Sequence, residues 1–304
     1  MALFITNLGA AGIILSIAIM LASGFLLTRI TKRLHLPNVT GYIIAGVIIG
    51  PWCLNLVPSE YINQMDFVTD LALAFIAFGV GKYFRLSSLK ANGKNMVILT
   101  LFESLTAGVF ITTAMLLLGL SLSFSLLLGA IGCATAPAST IMTIRQYKAK
   151  GPVTDTLLPV TAFDDAVGLM IFSLCFALAQ AFASGDALTV QAIVLDPLRE
   201  IGLSLLTGGV MGAVLAFVMR FFKSKANRLC LMLAAVFACV ALSEMWELSS
   251  LLTCMMLGAV FANMRSDSVI AMELCEGWTP ALFMLFFVLS GAELDFSILL
   301  TVGI

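Results

Sequence analysis

The sequence predicts an all-α polytopic membrane protein with about ten transmembrane helices. Three observations carry that reading. Of the 304 residues, 61% are hydrophobic and only 11% charged, against roughly 25% charged in soluble domains. The mean hydropathy of +1.09 is too high for a surface that water must solvate. The charges also gather in short clusters between apolar runs of about 20 residues, the length that crosses the hydrocarbon of a bilayer. The 16 basic and 17 acidic residues nearly cancel, so nothing points to nucleic acid as a partner. Disorder, collagen and disulfide scaffolds are excluded by the same composition.

Cutting the chain at its charges, glycines and prolines gives ten candidate spans: 8–28, 38–57, 66–84, 96–118, 122–144, 154–182, 192–220, 228–246, 248–264 and 273–293. The first lies in a stretch that is uncharged from Met1 to Thr28 and has no basic start, which suits a spanning helix better than a cleaved signal. The uncharged stretch from Ser104 to Ile144 is long enough for two helices, with Gly119-Leu120-Ser121 as the turn between them. The loop charges test this division. Arg29, Lys32 and Arg33, then Lys82, Arg85, Lys90 and Lys94, then Arg145, Lys148 and Lys150, then Arg220, Lys223, Lys225 and Arg228, and finally Arg265 all fall in alternate loops. Only Arg199 falls on the other side. The positive-inside rule makes the basic loops cytoplasmic and the N-terminus external, in a multi-pass protein of the cell membrane. The seven cysteines form no CxxC pair, and His35 is the sole histidine. No zinc site follows, and the cysteines read as small buried hydrophobes.

Two alignments within the chain point to a repeat. Phe78 to Leu89 matches Val288 to Leu299, pairing Gly81 with Gly291, Ser87 with Ser297 and Leu89 with Leu299. Asn38 to Gly46 resembles Ser250 to Gly258. Spans one to three then recur as spans eight to ten with opposite membrane orientation. Inverted repeats of this kind build many secondary transporters, with the site near the midplane.

Most acidic residues sit near span ends, but Asp164 and Asp165 do not. They lie about ten residues past a basic loop, which at 1.5 Å per residue is roughly 15 Å deep. A charge left there costs about 2.5–3.5 kcal/mol on the insertion scale. Two adjacent carboxylates also repel, so at least one of the pair is expected to hold a proton near neutral pH. A proton or a monovalent cation neutralises the same charge, so such a pair can exchange one for the other. The alternative is a structural role, a carboxylate locked to a basic residue on another helix. The fifth span offers the partner. Ala134-Thr-Ala-Pro-Ala-Ser-Thr140 puts Pro137 at nearly the depth of the aspartates. Proline interrupts a helix and frees a carbonyl, and broken spans present carbonyls and half-helix ends to ions; a plain kink is the alternative. Thr135 is the side-chain ligand candidate there, with Ala134, Ala136, Pro137 and Ser139 forming the broken region. Glu103, in the fourth span, is a secondary candidate or a structural partner for a basic neighbour. The glycine pairs Gly46/Gly50 and Gly208/Gly212 would let helices pack closely.

Four stretches together resemble the monovalent cation:proton antiporter superfamily, in its bacterial and SLC9B-like double-aspartate branch of sodium/proton exchanger domains. They are Leu36 to Pro51, Ala134 to Thr140, Phe163-Asp-Asp165 and Phe287 to Asp295, in the family's order and across nearly the whole chain. The resemblance implies an inverted-repeat antiporter fold with a broken crossing helix, working as a homodimeric elevator. Residues 1–182 would be the first six-helix repeat, with scaffold helices in 1–57 and core helices in 66–182. Residues 192–222 would be a linker helix. Residues 228–304 would be a partial second repeat, with scaffold helices in 228–264 and its first core helix in 273–300. Family domains continue for three more core helices, so the second repeat reads as incomplete. By carry-over Asp165 binds the monovalent cation or the proton, Asp164 is its companion, and Thr135 with nearby backbone completes the coordination.

The function implied is secondary exchange of Na+ or Li+ for protons, electrogenic because the motif is a doublet, with no cofactor. Potassium/proton antiport or efflux by the same superfamily is the nearest alternative. A non-transporting membrane scaffold or inactive truncated product is the alternative from another class. No nucleophile–base set or cofactor loop suggests an enzyme.

Overall fold

The computed structural model describes residues 9–135, 137–184 and 195–295. Among these, the chain forms helices and turns and no strand. We label the helices α1 (Ala10–Arg33), α2 (Asn38–Ile49), α3 (Asp66–Val80), α4 (Leu86–Leu117), α5 (Leu122–Cys133), α6 (Pro137–Tyr147), α7 (Pro152–Ser184), α8 (Asp196–Val218), α9 (Lys225–Met245), α10 (Ser250–Met264) and α11 (Ser268–Ala292).

Each of the ten predicted spans overlaps one helix or, in the fifth, the pair α5 and α6, but the second span, 38–57, overruns α2, which stops at Ile49. Length and apolar composition alone qualify six described segments to cross a membrane: Ala10–Arg33, Ser59–Tyr83, Gly93–Leu117, Leu122–Tyr147, Leu198–Phe221 and Lys225–Met245. The pair Ser268–Cys275 and Gly277–Ala292, bent by 46°, would make a seventh, while α2 and α10 are shorter apolar helices. A count of ten crossings therefore goes further than these helices establish by themselves.

Local chemistry sets the helix ends. Gly119 takes φ +83° in the α4–α5 turn, and Ser121 caps α5 by accepting the Phe124 N–H at 3.4 Å. Ser249 caps α10 in the same way, accepting the Leu252 N–H at 3.3 Å. Pro137 and Pro152 each open a helix, where the missing N–H is one that no carbonyl would have received.

The chain divides into two compact units. One comprises the described parts of 1–73, 141–149 and 274–304; the other comprises those of 74–140 and 150–273. In the first, Met20, Val57, Tyr61, Met65, Val288 and Leu289 are buried. The end of α6 clasps the α1–α2 turn: the Asn38 N–H donates to Gln146 Oε1 at 2.7 Å and the Tyr147 hydroxyl donates to the His35 carbonyl at 3.1 Å. In the second unit α8 lies against α10, where Gly208 and Gly212 face Thr253 and Leu257 with no room for a Cβ. At the α10–α11 turn Asp267 receives Arg265 Nε at 2.7 Å and Arg228 Nη1 at 2.9 Å. The hydrogen bond from Arg265, reinforced by both guanidinium charges, holds the Asp267 carboxyl down at about 2.

The repeat read from the sequence reappears as a repeated contact. In the first unit Gly46 of α2 meets the backbone of Val288 and Gly291 in α11, and Gly291 in turn meets Ile43. In the second, Gly258 of α10 meets Phe78 and Gly81 at the end of α3. The alignment pairs Gly46 with Gly258 and Gly291 with Gly81, so each unit holds one copy of the same glycine-on-glycine crossing. A side chain at any of the four would overlap backbone.

Candidate functional site

The fifth span is broken where the sequence placed Pro137. Helix α5 stops at Cys133, Ala134 is extended (φ −81°, ψ 134°), and α6 restarts at Pro137. Ala136 lies outside the described residues, as does the side chain of Pro137. The backbone groups freed at this break need partners, because hydrocarbon offers none.

Asp164 supplies one of them. It is fully buried at mid-length in α7. Its Oδ2 accepts both the backbone N–H and the hydroxyl of Thr135, each at 2.6 Å, and its Oδ1 accepts the hydroxyl of Ser104 in α4. One carboxylate thus joins α4, the break and α7. An ionised carboxylate only accepts hydrogen bonds, and here three neutral donors converge on it. Among the described residues no basic side chain pairs with Asp164, so the lock to a Lys or Arg is not what this part of the chain displays.

The packing makes that convergence attainable. Gly168 follows Asp164 by one helical turn and sits against Ala134, where a Cβ would come within 2.9 Å of the alanine methyl. On α4, Ser104, Gly108 and Thr112 recur every four residues and so share a face. Gly108 and Thr112 lie against Gly129 and Cys133 of α5. A cavity of about 270 Å³ opens beside them, lined in part by Cys133 and Cys175.

The other predicted residues stand as follows. Asp165 belongs to α7, but its side chain lies outside the described residues. Ala134 is exposed and Thr135 half-buried at the break, while Ser139 is half-buried in the first turn of α6. Glu103 is half-buried beside Ser104, and its Oε2 is enclosed without a hydrogen-bond partner. Ser104 and Gly168 were not singled out in the sequence. The signal that could have found them is spacing: a serine, glycine and threonine at four-residue intervals in the helix bearing Glu103, and a glycine one turn beyond the doublet.

Residues 14–304 match the family described as sodium/hydrogen exchanger, transmembrane. The chain belongs to the sodium/hydrogen exchanger family. Among its relatives are Na(+)/H(+) antiporter 1 of Methanocaldococcus jannaschii, 30% identical over 55% of this chain and 40% of the relative, and the Na(+)/H(+)-K(+) antiporter GerN of Bacillus cereus, 29% identical over 59% of this chain and 45% of the relative. The chain thus spans about half the length of the curated relatives it matches. Its fold is similar to that of the sodium proton antiporter MjNhaP1 from Methanocaldococcus jannaschii, with a TM-score of 0.73 at 22% identity over 94% of this chain and 71% of that one. That likeness shows the antiporter fold, and the relatives named here are antiporters and not enzymes.

Proposed function

We propose that the chain exchanges a monovalent cation for protons across the cell membrane, with Na+ or Li+ as the favoured ion. The observation that carries this reading is the engagement of Asp164 by three donors of Ser104 and Thr135 at a helix break inside an apolar chain. Asp164 then acts as the companion that fixes the break. Asp165, rotated by about 100° on the same helix, is the carboxylate that trades partners. A bare charge at that depth is costly, so Asp165 carries either a proton or a cation whenever the site is shut off from water. That exclusivity couples the two fluxes. Thr135 and the carbonyls freed around Ala134 and Pro137 complete the cation's shell, and Glu103 is a secondary carrier beside Ser104.

In the same reading the chain works as a homodimer by an elevator movement, with the core helices within 66–182 and 273–300 shifting against scaffold helices within 1–57 and 228–264 and 192–222 as linker. The N-terminus is external and the basic loops cytoplasmic. Exchange is electrogenic. Potassium/proton exchange is the second reading, favoured by the name that GerN carries.

The test is dissipation of an imposed proton gradient in everted vesicles carrying the 304-residue chain, with sodium, lithium and potassium added in turn. A cation-dependent collapse that disappears in Asp165→Asn is the expected result, and the most effective ion separates the two readings. Silence from protein that is inserted and folded would sink the proposal for this chain and favour a scaffold role.

A further inference from the structure

A second cavity lies apart from the carboxylate and has a different chemistry. It measures about 560 Å³, within the ~300–1,000 Å³ usual for ligand pockets, and is bounded within the second unit by the α3–α4 corner, α7, α8 and α10. Phe84, Leu86, Phe163, Leu205 and Met256 are among its walls, and among the described residues Asn263 is the one polar side chain lining it. That amide is already committed, donating to the Phe84 carbonyl at 3.0 Å and accepting the Leu86 N–H at 2.8 Å. The lining therefore offers an occupant apolar contact and little hydrogen bonding.

A charge stands at the edge of this apolar space. Arg85 lies in the chain between the lining residues Phe84 and Leu86. Its Nη2 donates to the Ser268 hydroxyl at 3.2 Å, while its Nε is enclosed without a partner. Among the described residues no carboxylate answers its charge. The sequence around it is one-sided as well: from Asp70 to Glu103 the chain has Lys82, Arg85, Lys90 and Lys94 and not one acidic residue between. A guanidinium with spare donors matches a phosphate oxygen in geometry and charge, and clustered basic residues at a membrane surface attract anionic lipid.

We propose that this cavity takes one acyl chain of an anionic phospholipid whose phosphate is held by Arg85. A molecule with an apolar tail and a single negative head satisfies both features together; neither a free anion nor a neutral lipid does. The inference requires only that the chain sits in a bilayer, so it stands or falls separately from the transported ion.

Native mass spectrometry of the full chain, released from membranes into mild detergent with phosphatidylglycerol and phosphatidylcholine of matched chains, tests it. The expected result is one phosphatidylglycerol retained per chain in preference to phosphatidylcholine. Arg85→Gln should reduce phosphatidylglycerol retention about tenfold and remove the preference, the scale of losing one charge-assisted contact. Leu205→Trp and Met256→Trp, on separate helices, should each fill the cavity and lower retention of both lipids, with size-exclusion elution confirming that the variants remain folded. Equal retention in Arg85→Gln would overturn the proposal, as would unchanged retention in both tryptophan variants. Displacement of the lipid by glycerol phosphate alone would mark a free-anion site, and a protein segment or second copy filling the cavity would appear as wild-type chain that retains no lipid. Either result also overturns the proposal.

Discussion

The α5–α6 break and the glycine crossings both bring backbone close to a neighbouring helix where water cannot assist, and they do it by opposite means. At the break the helix gives up its own hydrogen bonds, and Asp164 replaces part of what is lost with acceptors for the Thr135 N–H, the Thr135 hydroxyl and Ser104. At the crossings the backbones approach because Gly46, Gly291, Gly81 and Gly258 have no Cβ to separate them. The first solution is polar, directional and rests on one residue. The second is dry and appears twice. Small residues at helix contacts are the general device for joining helices in lipid, where lipid tails remove the hydrophobic drive between them. A carboxylate at mid-helix answers a different need, because each buried group without a partner costs about 1–3 kcal/mol.

The sharpest way to break this comparison is to remove the carboxylate. Asp164→Ala should strand three donors at once and destabilise the chain by about 3 kcal/mol or more, read as a large fall in the temperature at which the detergent-solubilised protein leaves its size-exclusion peak. Asp164→Asn separates charge from architecture. Its amide oxygen can still accept from Thr135, and its amide nitrogen can donate to Ser104 once that hydroxyl turns, so most of the stability should return. Ser104→Ala removes a single interhelical hydrogen bond and should cost about 0.6–2 kcal/mol, the range measured for such bonds in membranes. If Asp164→Ala proved as mild as Ser104→Ala, the break would not depend on this carboxylate.

The crossings come next in size. Gly258→Ala directs a methyl group at the Phe78 carbonyl, and Gly46→Ala directs one at the Val288 carbonyl. Overpacking of this kind costs about 1–3 kcal/mol. The repeat predicts similar losses for the two, since each crossing is the counterpart of the other. A thermal shift for one and none for the other would reduce the correspondence to a likeness of shape.

The sequence revealed these two regions unevenly, for physical reasons. Pro137 pointed to the break because a proline removes a helical hydrogen bond and this one stands beside Thr135 at the depth of the doublet; a proline alone does not decide it, since Pro159 and Pro280 sit inside α7 and α11. The glycines of the crossings were visible because two alignments paired them, and Ser121 was visible as part of the turn after Gly119. Ser104 was not, since a serine in an apolar helix is as often bonded to its own turn as to a neighbour. Thr113 and Ser290 do bond to their own turns here. Gly168 stayed hidden because a lone glycine says nothing of what it lies against. Nor could the division of labour within the doublet be read directly. Adjacent residues leave a helix in different directions, but which of them meets the break depends on the rotation of α7, and only packing sets that.

The smallest effect belongs to a third kind of contact, a charge cluster on the surface, and it marks the lower limit of the comparison. Asp267 holds Arg265 and Arg228 at the α10–α11 turn with its side chain 30% exposed, so water and salt screen the attraction, and exposed pairs of this kind contribute about 0–1 kcal/mol. Its carboxyl titrates at about 2 in the folded chain, below the ~3.9 of an unperturbed aspartate. A depressed folded value means the stabilisation is complete above about pH 4 and is lost as pH falls towards 2. Asp267→Asn should therefore lower the thermal transition slightly at neutral pH, and the difference from wild type should close between about pH 4 and pH 2. A gap that persisted below pH 2 would mean that Asp267 acts through its hydrogen bonds and shape, leaving the polar break as the place where a carboxylate's acceptors decide whether the fold holds.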